Sequence, residues 1–170
     1  MRIAVIILFC TMTSLSAQIF SGPIPPPTSG YGSPGTFAVD SIEFLNPADQ
    51  TDTSLVYYPQ GTISPVPTVF FMHGVGGNSP VYVREYLYFI VSKGFAVVFV
   101  PWSTSFSVLQ AYVCFHEGFI AAARNNPTII DTTRVGFTGH SFGGGACYAI
   151  AYSLSTTYNW GSNGRFLMPV

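Results

Sequence analysis

Arg134–Gly145, RVGFTGHSFGGG, is the stretch on which the fold turns. Arg134–Thr138 is a short, mostly apolar run that reads as a core β-strand. Phe142–Ser155 reads as a helix whose first turn carries three glycines. Between them stands Gly139-His140-Ser141-Phe142-Gly143, the pattern G-x-S-x-G. A serine that must project into a site from a tight strand-to-helix turn strains its own backbone, so the residues two positions away on either side must lack a Cβ. Gly139 and Gly143 meet that requirement. The helix that follows supplies positive potential and unpaired N–H groups at its first turn, where a developing oxyanion would sit. Ser141 is therefore the candidate nucleophile; the alternative for a serine at this position is a plain helix N-cap.

Upstream, Thr68–Met72 (TVFFM) is a continuous apolar run of the kind expected for a strand covered on both faces. His73-Gly74-Val75-Gly76-Gly77 follows it directly. A glycine-rich loop here lets backbone approach a substrate closely, and with a nucleophile elbow such a loop contributes one oxyanion donor while the residue after the serine contributes the other. Phe142 N–H is the expected donor from the elbow. Val75 N–H is the expected donor from the loop, with Gly74 or Gly76 as one-residue alternatives. No Gly-Lys-Ser/Thr follows, so the loop is not a phosphate-binding P-loop.

The remaining segments fill in the architecture. Phe37–Leu45 and Leu55–Tyr58 read as strands. Pro80–Lys93 repeats apolar residues at helical spacing and ends at Gly94, a C′ glycine. Phe95–Val100 (FAVVFV) is a second buried strand closed by Pro101. Ser107–Asn125 is a long helix followed by Pro127. Alternating buried strands and helices predict an α/β fold with a mostly parallel sheet and helices on both faces.

TVFFMHGVGG, FAVVFVP and RVGFTGHSFGGG together resemble the α/β-hydrolase superfamily, and most nearly its dienelactone hydrolase, chlorophyllase and cutinase-like polyester hydrolase branch. The resemblance covers about Leu55–Ser155. It implies Ser141 as nucleophile, Val75 and Phe142 as oxyanion hole, a small-molecule or polymeric carboxylic ester as substrate, and no cofactor or metal. A peptidase or amidase of the same fold, or a catalytically dead binding protein, are the alternatives.

The sequence departs from that family at one point. The triad acid and histidine should follow the serine along the chain, and no Asp, Glu or His occurs after Ser141. Of the earlier candidates, His73 sits where it would brace the oxyanion loop. His140 is next to the serine in the elbow and cannot easily turn back onto it. His116 and Glu117 lie in the long helix, and Asp131 reads as a turn or cap residue. The expectation is that residues 37–170 are the N-terminal part of a larger catalytic domain, inactive alone. With no strand expected beyond it, Arg134–Thr138 would form a bare sheet edge and favour aggregation.

Composition bounds the rest. Charged residues are only 8% of the 170, against roughly 25% in ordinary soluble domains. Six Lys+Arg against seven Asp+Glu exclude a basic nucleic-acid surface. Fifteen Phe and ten Tyr exclude a disordered chain. Arg2, the short apolar run Ile3–Cys10 and the small residues after it read as a signal peptide over 1–17, hence a secreted protein with no membrane span. Residues 18–36, rich in Pro, Gly and Ser, read as a linker. Cys114 and Cys147 read as buried small hydrophobes. With three scattered histidines and no C-x-x-C, no metal site is legible. Trp102 is placed either at the cleft or in ordinary packing below it. Tyr82, Tyr86 and Tyr88 are read as residues of one helix.

Overall fold

A computed structural model describes residues 27–170. The expected signal peptide and linker residues 18–26 lie outside the described residues. Residues 34–170 form one compact unit that holds every element. In chain order these are β1 (Val39–Asn46), β2 (Asp49–Pro59), β3 (Val66–Met72), α1 (Arg84–Ser92), β4 (Ala96–Phe99), α2 (Val108–Asn125), β5 (Ile130–Gly139), α3 (Phe142–Tyr158) and β6 (Gly164–Pro169). The six strands form a single sheet in the order β1-β2-β4-β3-β5-β6. β1 and β2 are an antiparallel hairpin, and β2 is antiparallel to β4; β4, β3, β5 and β6 run parallel. The mostly parallel α/β sheet expected from the strand–helix alternation is thus the one observed.

Alternation along each strand divides the core between the two faces. Val69, Phe71, Val97 and Phe99 point to the side covered by Leu87 and Val91 of α1. Phe70, Met72, Val98 and Phe137 point to the other side, against Cys114, Phe115 and Phe119 of α2 and Cys147, Ile150 and Leu154 of α3. Phe70 is the hub of this second layer, with ring centroids of Phe119, Phe137 and Trp160 at 5.0, 5.6 and 4.9 Å. Both thiols are buried; burial pushes Cys114 up to about 12 and Cys147 to about 11, which leaves them inert.

The helix boundaries have local causes. Ser107 caps α2 through a reciprocal capping box with Gln110, a feature that contributes about 1 kcal/mol. Gly94, at φ +94°, ends α1 in the left-handed conformation expected of a C′ glycine, its N–H donating to Val91 O. The single helix expected over Pro80–Lys93 is in fact a 3₁₀ turn, Pro80–Tyr82, followed by α1, with a break at Val83. The chain is already tied to α1 before Phe37: Gly35 N–H donates to Ser92 Oγ at 2.8 Å and Phe37 N–H to Ser92 O at 3.2 Å.

The bare edge expected at Arg134–Thr138 is not there. β6 pairs in parallel with β5 from Arg134↔Gly164 to Gly139↔Pro169, so β5 is an interior strand and β6 forms the sheet margin. Gly136 explains the fit, because the Phe166 ring occupies the space a Cβ on Gly136 would need. Only the three apolar residues Phe166–Met168 carried a strand signal, and Arg165 and Pro169 at their ends obscured it. β5 also begins earlier than expected, at Ile130. Asp131 therefore lies within the strand, where it accepts from Thr133 N–H and Oγ1 and from Arg134 Nε.

Candidate active site

The elbow and the glycine loop meet at the C-terminal end of the parallel strands, where open α/β sheets present their sites. Ser141 has φ 56° and ψ −119°, one of two non-glycine residues at positive φ among the described residues. Such strain, of order 1–3 kcal/mol, persists only where the surroundings impose it. Here they do so from both sides. Ser141 N–H donates to Val170 O at 2.8 Å, and its carbonyl accepts the first α3 bond from Gly145 N–H at 3.1 Å. The flanking glycines are required by close approach. A Cβ on Gly139 would lie 2.6 Å from Met72 O, and one on Gly143 would fall onto the Met72 carbonyl and within 2.8 Å of His73 O.

The His73–Gly77 loop packs directly on the elbow. A Cβ on Gly74 would lie 3.1 Å from Ser141 Cβ and 3.1 Å from His140 O. Gly77 N–H closes the turn onto Gly74 O at 3.0 Å, and Gly76 takes φ +78°, which a side chain would resist. Among the described residues neither Val75 N–H nor Phe142 N–H donates to a backbone carbonyl outside the helices, and Phe142, at the first position of α3, has no intrahelical acceptor. The two N–H groups named from the sequence are thus unspent donors on the two segments that frame Ser141.

His73 is a brace and not a base. It is 2% exposed, with its ring between Phe99 (centroid 5.6 Å) and Trp102 (5.3 Å). Trp102 N–H donates to Nε2 at 3.1 Å, so Nε2 is unprotonated and Nδ1 carries the hydrogen that bonds Gly74 O at 2.7 Å. Both nitrogens are committed, and that pair of bonds fixes the carbonyl of the Gly74–Val75 peptide. Burial lowers the His73 pKa, outweighing the Gly74 bond and the field of Asp52. The folded state therefore binds fewer protons than the unfolded one once pH falls below the ordinary value of 6.5. Stability is expected to decline as pH falls through 6.5 and to stop declining on this account below the lowered folded-state value. Thermal melts between pH 7.5 and 5 check this: a His73→Asn variant should melt lower at pH 7.5 and lose that part of the slope, and an unchanged slope would assign it to another group.

Trp102 is 3% exposed and tilts against Phe142 at 5.1 Å; it packs under the site. The open cleft of about 450 Å³ is lined instead by Phe71, the loop residues, Tyr82, Val83 and His140. Tyr82 and Val83 had no functional signal in the sequence, because the helical spacing around them masked the 3₁₀ turn that carries them to the rim. Tyr86 lies deeper, its hydroxyl 3.2 Å from Thr138 Oγ1, and Tyr88 packs edge-on against Tyr57. Among the described residues no imidazole hydrogen-bonds Ser141 Oγ. His116 lies away on α2, bonded to Glu117 and Ser153.

No protein-family model matches the chain, and no curated protein sequence matches it. Solved structures do. A bacterial heroin esterase superposes with TM-score 0.54 at 20% identity over 78% of this chain and 44% of its own. Esterase B from Lactobacillus rhamnosis gives 0.57 at 20% identity, over 71% and 42%. A fungal esterase from Rhizomucor miehei gives 0.58 at 16% identity, over 78% and 44%. The chain spans less than half the length of these structures. The six-stranded, mostly parallel sheet with helices on both faces is the α/β-hydrolase fold, represented in part. No described helix is long and apolar enough to cross a membrane.

Proposed function

We propose that the chain is the nucleophile-bearing part of a secreted serine hydrolase acting on carboxylic esters. The observation that carries this reading is the strained backbone of Ser141 at a strand–helix junction, framed by Val75 and Phe142 N–H. Ser141 Oγ attacks the ester carbonyl carbon, its proton passes to a histidine, and the two N–H groups hold the oxyanion. The alcohol leaves with the proton, and water releases the acyl group. The acid and histidine of the triad come from polypeptide outside these 170 residues. The branch of dienelactone hydrolases, chlorophyllases and polyester hydrolases is where substrates should be sought, as free esters or as polymer.

The expected behaviour of the 170-residue chain alone follows from the missing base. In one serine protease, loss of the triad costs about 10⁶ in kcat and leaves roughly 10³–10⁴ over water. At Ser141 the chain alone should show, at most, slow stoichiometric acylation by p-nitrophenyl esters, and none by the matching p-nitroanilides. Peptide mapping after quenching reads the adduct. Turnover at ordinary enzyme rates would mean that a base is present within the chain, and faster anilide than ester cleavage would favour the amidase reading. No adduct on Ser141, even when the complete triad is supplied, would favour a binding protein that keeps the elbow without the chemistry.

A further inference from the structure

A second serine stands in a relay of its own, on the far side of the sheet's helical layer. Ser153, on α3, and His116, on α2, face each other across the groove between the two helices, with Oγ 3.0 Å from Nε2. The other ring nitrogen, Nδ1, is 3.0 Å from Glu117 Oε1. An ionised carboxylate only accepts, so Nδ1 carries the hydrogen. In the neutral ring Nε2 is then the acceptor, and Ser153 donates to it. That polarity is the one required for general-base activation of a hydroxyl: nucleophile to base, and base held by an acid. The ring is sheltered, its side chain 22% exposed and the Tyr158 ring 6.1 Å away, while Glu117 is 44% exposed. Beside the relay lies a cleft of about 240 Å³ whose walls include Val113, Ala149, Ile150 and Tyr112. Tyr112, His116 and Ser153 are the polar side chains on those walls.

We infer that Ser153, His116 and Glu117 form a second nucleophilic site, distinct from Ser141, that accepts small acyl groups from activated esters. Ser153 Oγ attacks the carbonyl carbon while its proton passes to His116 Nε2. The carbon–oxygen bond to the leaving group breaks, and with an aryl ester the departing oxygen leaves as phenolate; the proton on His116 is then lost to water. Glu117 acts as a positioning residue through the ring. The backbone N–H groups of both helices are spent within the helices beyond their first turns, so no pair of them forms an oxyanion hole here. The Tyr112 hydroxyl is the remaining donor on the cleft walls, and the product is a lasting acyl-serine. The size of the cleft and its aliphatic walls suit acetyl to butyryl groups.

The test uses the full chain as Ser141→Ala, p-nitrophenyl acetate, and peptide mapping over time. General-base help is worth roughly 10²–10⁴ in rate, so Ser153 is expected to be acetylated at least about 100-fold faster than the exposed Ser162 in the same molecule. That internal ratio needs no further variant. His116→Ala should bring the ratio close to one. Glu117→Ala should lower it, and Glu117→Gln, whose amide oxygen can still accept from Nδ1, should keep most of it; a purely structural role for residue 117 would not separate the two. Acetylation of Ser153 no faster than Ser162, or a Ser153 rate unchanged in His116→Ala, overturns the proposal. Neither result bears on Ser141.

Discussion

In protein that carries residues 1–170 together with the acid and histidine of the triad, a fluorophosphonate probe is expected to label Ser141, and Ser141→Ala to abolish the adduct at that position. The reason is geometric. Backbone strain at φ 56° turns the side chain out of the strand–helix junction, and Val75 and Phe142 offer N–H groups to the phosphonyl oxygen as they would to an oxyanion. Loss of the nucleophile removes bond formation itself, so the change is from complete labelling to none. Mapping by mass spectrometry is essential, because an adduct on another serine would otherwise pass for elbow chemistry. Unchanged protein with the complete triad that carries no adduct on Ser141 would refute the assignment of the nucleophile.

The second large effect is expected from one methyl group. Gly143→Ala places a Cβ on the Met72 carbonyl, where the end of β3 and the first turn of α3 are in backbone contact. Backbone on both sides cannot yield as a flexible side chain would. Overpacking typically costs about 1–3 kcal/mol and occasionally more, a large share of a domain stability of roughly 5–15 kcal/mol. Gly145→Ala is the matched control. That glycine lies two positions on in the same helix, is exposed, and has nothing within 4 Å of the added Cβ. Replacing a helical glycine with alanine contributes up to about 1 kcal/mol of stability. Urea unfolding should therefore move the two midpoints in opposite directions. A Gly143→Ala midpoint equal to that of unchanged protein would mean that β3 and α3 do not touch as described.

What could be read from the sequence was what local chemistry specifies. TVFFM and FAVVFV are apolar enough to be strands wherever the chain takes them, and the C′ glycine of α1 marks its own helix end. The elbow was legible because its pattern is only five residues long, although the backbone its glycines make room for belongs to Met72 and His73. The strand β6 was not, because RFLMP carries the helix-tolerant Leu and Met and a Pro. Its identity comes from the Phe166 ring lying over Gly136, a contact between residues thirty apart in the chain. β2 was read as four residues instead of eleven, since Asp49–Thr53 are polar and become strand only by pairing with β1. At the site, Ser141 and the His73–Gly77 loop were named from sequence, and the fold brings the two segments together. The brace on His73 was only half legible, because its second bond comes from Trp102 in another loop. The cleft rim at Tyr82 and Val83 depends on where a turn happens to end.

The link between Val170 and the elbow bears on how the site is made in time. Ser141 N–H is held by Val170 O, and Val170 N–H by Gly139 O, both at 2.8 Å. On a ribosome adding roughly 5–20 residues per second, residue 170 follows residue 141 by about 1.5 to 6 seconds. During that interval the nascent chain holds the serine, its glycines and the HGVGG loop, but lacks the β6 pairing that closes on the strained residue. The elbow has to wait for its clasp, so the order of translation sets the strained turn at Ser141 only after β6 has been made.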